Sequence, residues 1–454
     1  MKFILMTPLS CFLDRPPNLP DLGLAYLASA LIKQGHDVYV KDWNRSWSVE
    51  RFRQWLNEVR PESIGIKVFT KDVKAAQKTI EVIRNTLNDI PIVLGGPHPS
   101  ACDPSELMED FPECNYAMKG EAELSLPILL SLIEGANDKK FNKVIPFEKA
   151  RKVSGLIWKE KDNLHSNPIS LISNLDTIDF PFWELFDPKE YSDKMFGSST
   201  KEGRVAPIIT TRGCPGKCTF CSAHNISGRK IRYRSPENIL DEILILYNQY
   251  NVRQFMFQDN CFTSIKENLT SICELILQAD ISIEWDCVSY ERLDNLTDNT
   301  LNLMYRAGCR MIHIGVESVN ENIRKKMRKF GSLNQITSKI RAIQGNGIKV
   351  GAWFMIGFPD ETKEEMIATR RYAFSLGVDS IHFTTVFPLP GTEIYNDVKN
   401  KYKCRRIDWA EFDLSTSVYP MSQLSSKALR IFLKMTRLRI VFGQISKIFK
   451  KVVR

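Results

Sequence analysis

Short apolar runs alternate with longer amphipathic stretches along most of the chain. Residues 3–6, 38–40, 63–68 and 92–94 are compact apolar segments bounded by polar and turn residues, the mark of strands buried on both faces. Between them, residues 21–31 and 73–87 repeat their apolar positions at helical spacing, with Asp21 placed as an N-cap. The alternation resumes beyond residue 201. There, residues 236–250 carry Ile239, Ile243, Leu246 and Tyr247 on one helical face, and residues 254–257, 283–288, 311–314, 350–356 and 381–383 read as strands. The chain is therefore expected to be α/β. A doubly wound parallel sheet fills residues 1–135, and a connector with a small hairpin at Asp162-Asn163 fills 136–200. A partial (β/α)6 TIM-like barrel follows over 201–400, then a C-terminal extension over 401–454. Trp183 and Phe186 in the connector are expected to be core.

Composition changes this picture little, and charge changes it at one end. The 454 residues are 43% hydrophobic and 25% charged, as in ordinary globular proteins with two or three domains. No signal peptide and no spanning apolar run is read, so a cytoplasmic protein is expected. Eleven scattered cysteines, an odd number, suit a reducing compartment better than a disulfide framework. The net charge of +9 belongs to the tail, because the segment from Lys427 to Arg454 holds nine Lys or Arg and no acid. Leu429, Phe432, Leu433, Ile440 and Val441 interleave with those charges. One or two basic amphipathic helices are expected, broken near Gly443, to pack on the barrel or to lie on an anionic membrane surface. Nucleic acid is not expected as a partner.

The stretch with the clearest chemistry is Thr210-Thr211-Arg212-Gly213-Cys214-Pro215-Gly216-Lys217-Cys218-Thr219-Phe220-Cys221. Three cysteines spaced C-x3-C-x2-C stand in a Gly/Pro-rich loop after the β-branched run at 208–211. Structural zinc takes four protein ligands, and buried core cysteines do not gather in such loops. An iron–sulfur cluster is usually held by four thiolates, so three would leave one iron open to a substrate or cofactor.

This loop, with Phe220 before its last cysteine, resembles the signature of the radical S-adenosylmethionine enzymes. The resemblance implies a 4Fe-4S cluster on Cys214, Cys218 and Cys221, with S-adenosylmethionine chelating the open iron and cleaved to a 5'-deoxyadenosyl radical. Later segments are similar to the family's S-adenosylmethionine contacts. Asp259 and Asn260 would meet the amino end and Arg292 a carboxylate. Glu317 and Ser318, in Gly315-Val316-Glu317-Ser318, would meet the ribose and methionine ends, and Gly357 and Glu361, in Gly357-Phe358-Pro359-Asp360-Glu361, the adenine. The order of segments in residues 1–135 resembles the cobalamin-binding, Rossmann/flavodoxin-like domain of one subgroup. Leu22, Gly23, Thr70, Gly95, Gly96, Pro97, His98, Gly120 and Glu121 would then form the bed for the corrin. Ala122 departs from that subgroup's Gly-Glu-Gly-Glu. The signature Asp-x-His-x-x-Gly is absent, so cobalamin is expected without a histidine lower ligand and His98 as a lining residue.

The resemblance implies a cobalamin-dependent methyltransferase acting on an unactivated carbon through the adenosyl radical and methylcobalamin. It implies an external electron donor such as flavodoxin or ferredoxin, and a small-molecule or lipid-like substrate. No catalytic side chain is assigned. Three alternatives stay open: an oxidative cyclase or ring-rearranging enzyme with the same cofactors, a methylthiotransferase with Cys11, Cys102 and Cys114 on a second cluster, and a non-catalytic cobalamin or S-adenosylmethionine sensor.

Overall fold

The structure, a computed structural model, describes residues 1–12, 19–42, 47–136, 145–160, 163–191, 203–289, 293–329, 331–409 and 419–452. It divides into two compact units, one drawn from Met1–Phe196, Thr200–Pro215 and Ser222–Asp259, the other from Gly197–Ser199, Gly216–Cys221 and Asn260–Arg454.

The first unit is built on a seven-stranded sheet. Its strands are β1 (Lys2–Met6), β2 (Asp37–Lys41), β3 (Ser63–Lys67), β4 (Ile92–Gly95), β5 (Tyr116–Met118), β6 (Leu156–Glu160) and β7 (Asn163–Ser166), in the order β2-β1-β3-β4-β5-β6-β7. β1 to β5 run parallel, with Phe3, Ile4, Ile64 and Leu94 wholly buried, as expected of apolar runs covered on both faces. Asp21 caps the helix Leu22–Lys33 by accepting from the Leu24 N–H at 2.9 Å. A 2-1-3-4-5 order opens its ligand crevice between the carboxyl ends of β1 and β3.

Two elements differ from the sequence reading, the hairpin and the tail. The hairpin assigned to a connector is β6–β7, and it extends the first sheet, pairing antiparallel onto β5. The β-branched run at 208–211 is divided: Ile208 ends β8 (Arg204–Ile208), which pairs parallel with β11 (Val252–Phe257). Thr211–Arg212 (β9) instead forms a short antiparallel ribbon with Arg232–Tyr233 (β10). Trp183 and Phe186 are buried, as read.

The second unit carries β12 (Glu284–Ser289), β13 (Cys309–Glu317), β14 (Lys349–Ile356) and β15 (Ser380–Thr385), all parallel. With β8 and β11, these strands alternate along the chain with helices, the repeat of a partial (β/α)6 barrel. Helices Leu333–Gly345 and Lys363–Ser375 each begin in a capping box, Ser332 with Gln335 and Thr362 with Glu365. On β14, Val350, Ala352, Phe354 and Ile356 are fully buried while Trp353 and Met355 on the other face are half-buried.

The tail is the other difference. Helix Ser426–Val452 runs without interruption through Gly443, where a break was expected. One glycine costs a helix only about 1 kcal/mol relative to alanine. The helix buries Leu429, Phe432, Leu433 and Thr436. Among the described residues, no helix is long and apolar enough to cross a membrane.

Candidate active site

The cysteine loop is prepared on its N-terminal side by one carboxylate. Asp259 follows β11 and is 3% exposed. Its Oδ1 accepts from the Thr210 N–H at 2.9 Å, the Thr210 hydroxyl at 3.1 Å, the Thr211 hydroxyl at 2.7 Å and the Thr211 N–H. Those bonds take the backbone donors that a continued strand would have used, so the chain bends here and enters the ribbon. Oδ2 is buried and has no hydrogen-bond partner among the described residues. Burial pushes the Asp259 pKa up to about 6, against the opposing pull of the threonine donors.

Gly213 follows with φ +94°, and a Cβ there would lie 2.1 Å from the Lys230 carbonyl oxygen, so only glycine fits this turn. The Cys214 N–H then donates to the Gly228 carbonyl at 3.1 Å. In the second unit, the Cys221 N–H donates to the Cys218 carbonyl at 3.2 Å. Between them Thr219 donates to the Met327 carbonyl at 3.3 Å and accepts from the Ile394 N–H at 3.3 Å. Cys214, Cys218 and Cys221 are half-buried, whereas Cys261, Cys273, Cys287 and Cys309 are fully buried. Burial pushes the Cys273 thiol far up, which makes a thiolate there costly. A reachable, soft donor set at C-x3-C-x2-C therefore fits an iron–sulfur cluster.

The ribbon itself is tied to the turn after β5 through buried charge. Arg232 and Arg212 are cross-strand neighbours, and two carboxylates answer them. Arg232 binds Glu121 bidentately at 2.7 and 2.6 Å, and Arg212 binds Glu123 at 2.6 Å and reaches Glu121 at 3.8 Å. Glu121 also accepts from the Ile172 N–H at 3.0 Å. Glu121, expected in the corrin bed, is thus committed to the ribbon. Neither arginine was singled out from the sequence. Arg212 lies inside the cysteine stretch, but its partner is 89 residues away, and only burial of both ends reveals the pair.

The other cofactor candidates in this unit gather beyond β1, β3 and β4. Leu22 and Gly23 open the first helix, whose cap Asp21 pairs with Lys67 at 2.7 Å. Thr70 follows β3, and its hydroxyl lies 3.2 Å from His98 Nδ1. The His98 ring is fully buried, edge-on to Phe111, and burial lowers its pKa to about 3. It braces the loop as a neutral imidazole. Gly95, Gly96 and Pro97 are half-buried, and where a Cβ on Gly95 would point there is open space. Gly120 is held by the Ser100 hydroxyl at 3.0 Å. Gly23 and Gly96 are packed against Lys67 and Gly120 against Ile169, so the open backbone that would accept a large flat group is at Gly95, the carboxyl end of β4.

In the second unit, Glu317 ends β13 with φ +67°, after a register shift between Gly315 and Glu317. Its carboxylate is 3.2 Å from Lys329 Nζ, and both side chains are buried. Ser318 is fully buried beside it, accepting from the Asn320 N–H at 3.2 Å. Glu361 Oε2 accepts from the Gly357 N–H at 2.6 Å and the Phe358 N–H at 3.0 Å, while Oε1 is buried without a partner among the described residues. Burial pushes the Glu361 pKa up to about 7, with the two N–H donors opposing and Glu365 adding to the rise. Glu361, Asn320, Lys326 and Asp360 line a cleft of about 430 Å³. Asn260 is exposed. Arg292 lies outside the described residues.

Of the cysteines considered for a second cluster, Cys11 is exposed while Cys102 and Cys114 are buried, and burial pushes the Cys114 thiol far up.

Known proteins place both units in context. The Radical SAM superfamily model matches residues 208–373, and the B12 binding domain model matches residues 13–130. The uncharacterized methyltransferase PH0819 of Pyrococcus horikoshii is 27% identical over 417 residues, covering 91% of this chain and 86% of that protein. The anaerobic magnesium-protoporphyrin IX monomethyl ester cyclase of Rubrivivax gelatinosus is 25% identical, covering 88% of this chain and 70% of its own length. Among solved structures, the radical S-adenosylmethionine methyltransferase TsrM of Kitasatospora setae, with cobalamin and a [4Fe-4S] cluster bound, superposes with a TM-score of 0.68 at 19% identity. It covers 88% of this chain and 75% of that one.

Proposed function

Because the chain belongs to the cobalamin-binding radical S-adenosylmethionine enzymes, we propose that it is a methyltransferase acting on an unactivated carbon of a small molecule. The observation that carries this reading is the reachable cysteine triad behind a turn fixed by Asp259, in a chain that also matches a B12 binding domain. When bound, the cluster and S-adenosylmethionine supply a radical that removes a hydrogen atom, and cobalamin supplies the methyl group.

The protein's own part is to hold and shield. Cys214, Cys218 and Cys221 hold the cluster. Asp259 Oδ2 and Glu361 Oε1, buried acceptors without a partner among the described residues, suit the amino and adenine N–H donors of S-adenosylmethionine. Glu317, Ser318 and Gly357 complete that set, with Asn260 and Arg292 as further contacts. Leu22, Gly23, Thr70, Gly95, Gly96, Pro97 and Gly120 would form the bed for cobalamin, with His98, buried against Phe111, bracing that loop. Electrons come from an external donor of the flavodoxin or ferredoxin kind.

The cyclase of Rubrivivax gelatinosus keeps ring formation as the second reading, and the mass of the product separates it from methylation. Methylthio transfer is disfavoured by the buried Cys102 and Cys114. The test is iron and cobalt analysis of one sample, purified and reconstituted without oxygen in the presence of cobalamin. About four irons per chain with cobalt in equal amount to protein are expected. Iron without cobalt would remove the methyl donor and with it this reading.

A lipid surface is the proposed resting place of the tail helix. Its basic residues come without acids, and opposite its buried face it exposes Ile431 (54%), Met435 (48%), Leu438 (43%) and Phe442 (67%), spaced as one stripe. Arg430, Lys434 and Arg439 flank that stripe. Co-sedimentation should occur with vesicles rich in phosphatidylserine, weaken with salt and drop severalfold in Met435→Ser/Phe442→Ser. Equal behaviour with phosphatidylcholine vesicles would end the proposal.

A further inference from the structure

The second unit contains a polar and aromatic cluster that the cofactor sites do not use. On the face of the sheet opposite Phe354 and Ile356, four side chains climb diagonally toward the carboxyl ends of the strands. They are Asp286 on β12, His313 on β13, Trp353 on β14 and His382 on β15. Register sets the diagonal: His313 is opposite Gly351, and Trp353 is opposite both Gly315 and His382.

Each member fixes the next. Asp286 is 3% exposed, and its Oδ2 forms no hydrogen bond among the described residues, lying 3.7 Å from His313 Nε2. The Trp353 indole N–H is 3.4 Å from His313 Nδ1, which makes Nδ1 the acceptor and puts the ring proton on Nε2, toward Asp286. Gly351 makes room for this imidazole, since a Cβ there would stand 2.4 Å from Nδ1. Trp353 then stacks on His382 with ring centroids 4.2 Å apart and planes 16° from parallel. His382 lies 3.2 Å from the Ser380 hydroxyl. Burial, then His313, holds its pKa down at about 4, so the stacked imidazole is neutral.

A buried carboxylate is an expensive way to fill a sheet face. What it secures here is the orientation of one indole plane. That plane is half-buried, hence reachable, and beside it on β13 stands Gly315, which contributes no side chain. The row lies just before Glu317, at the end of the sheet where barrel chemistry takes place.

We propose that the Trp353–His382 stack is a binding platform for a planar aromatic or heteroaromatic substrate, with Asp286 and His313 as positioning residues. The assignment of that ring to the substrate rests on the methyltransferase reading. Two flat rings are available to such a site, the substrate's and the adenine of S-adenosylmethionine, and affinity measurements separate them.

Indole is the probe, its binding to the reconstituted holoprotein followed by saturation-transfer NMR. Trp353→Ala should raise its dissociation constant about tenfold or more, as loss of one stacking partner does for nucleobases. Trp353→Phe should recover part of the loss, and His313→Gln, which can still accept from the indole N–H, should bind better than His313→Ala. S-adenosylmethionine affinity should stay within about twofold throughout. Unchanged indole binding in Trp353→Ala, or a parallel loss of S-adenosylmethionine affinity, would overturn the proposal. Indole binding by a chain that takes up no cobalt would sink the methyltransferase reading alone and leave the platform standing.

Discussion

Replacing Glu121 with leucine should destabilise the protein by about 3–5 kcal/mol, the range for removing one partner of a buried ion pair. The Glu121 side chain is 3% exposed and that of Arg232 7%, so water cannot take over. Glu121 leaves behind an arginine already sharing the ribbon with Arg212, and it strands the Ile172 N–H as well. The loss should be visible as a lower midpoint in chemical denaturation. The double variant Glu121→Leu/Arg232→Met should regain most of it, because removing both charges spares the desolvation that made the pair expensive. Equal destabilisation in single and double variants would mean that shape, not charge, dominates at this position.

The second large effect belongs to Asp259. In Asp259→Ala the Thr210 and Thr211 N–H groups, both on buried residues, lose their acceptor, at about 1–3 kcal/mol each. The turn that enters the cysteine loop loses its anchor, and reconstituted iron should fall well below that of the unaltered protein. Asp259→Asn keeps Oδ1 as an acceptor, so its iron should be retained. An amide nitrogen in place of Oδ2, however, would face the amino group of S-adenosylmethionine with a donor, and affinity should weaken about tenfold or more. An asparagine variant with normal affinity would confine Asp259 to the architectural role.

What could be read in advance follows from what is local in the chain. Strands such as β3 and β14 announce themselves as apolar runs, Asp21 as a cap, and the cysteine loop as three thiols within one turn-rich stretch. The β-branched run at 208–211 shows the limit. Thr210 and Thr211 have strand propensity, but a carboxylate 48 residues on claims their N–H groups. The hairpin around 162 was seen as a hairpin, yet its membership in the first sheet depends on an edge that β5 leaves open. Glu121 was expected in the corrin bed, but whether a carboxylate faces a ligand or an arginine is decided by packing between distant segments. His313, Trp353 and His382 passed unremarked because each looks like an ordinary strand residue until register brings them together. Gly443 failed as a signal for the opposite reason: its local preference is weak, and a long helix absorbs it.

Glu317 carries a different kind of consequence. A left-handed backbone conformation costs a side-chain-bearing residue roughly 1–2 kcal/mol, and at this turn a glycine would relieve it. The same glycine would leave Lys329 buried without this carboxylate, a loss of about 3–5 kcal/mol that outweighs the relief. The strained turn and the buried lysine are therefore tied together: drift toward glycine at 317 opens only to a chain that has first given up the charge at 329.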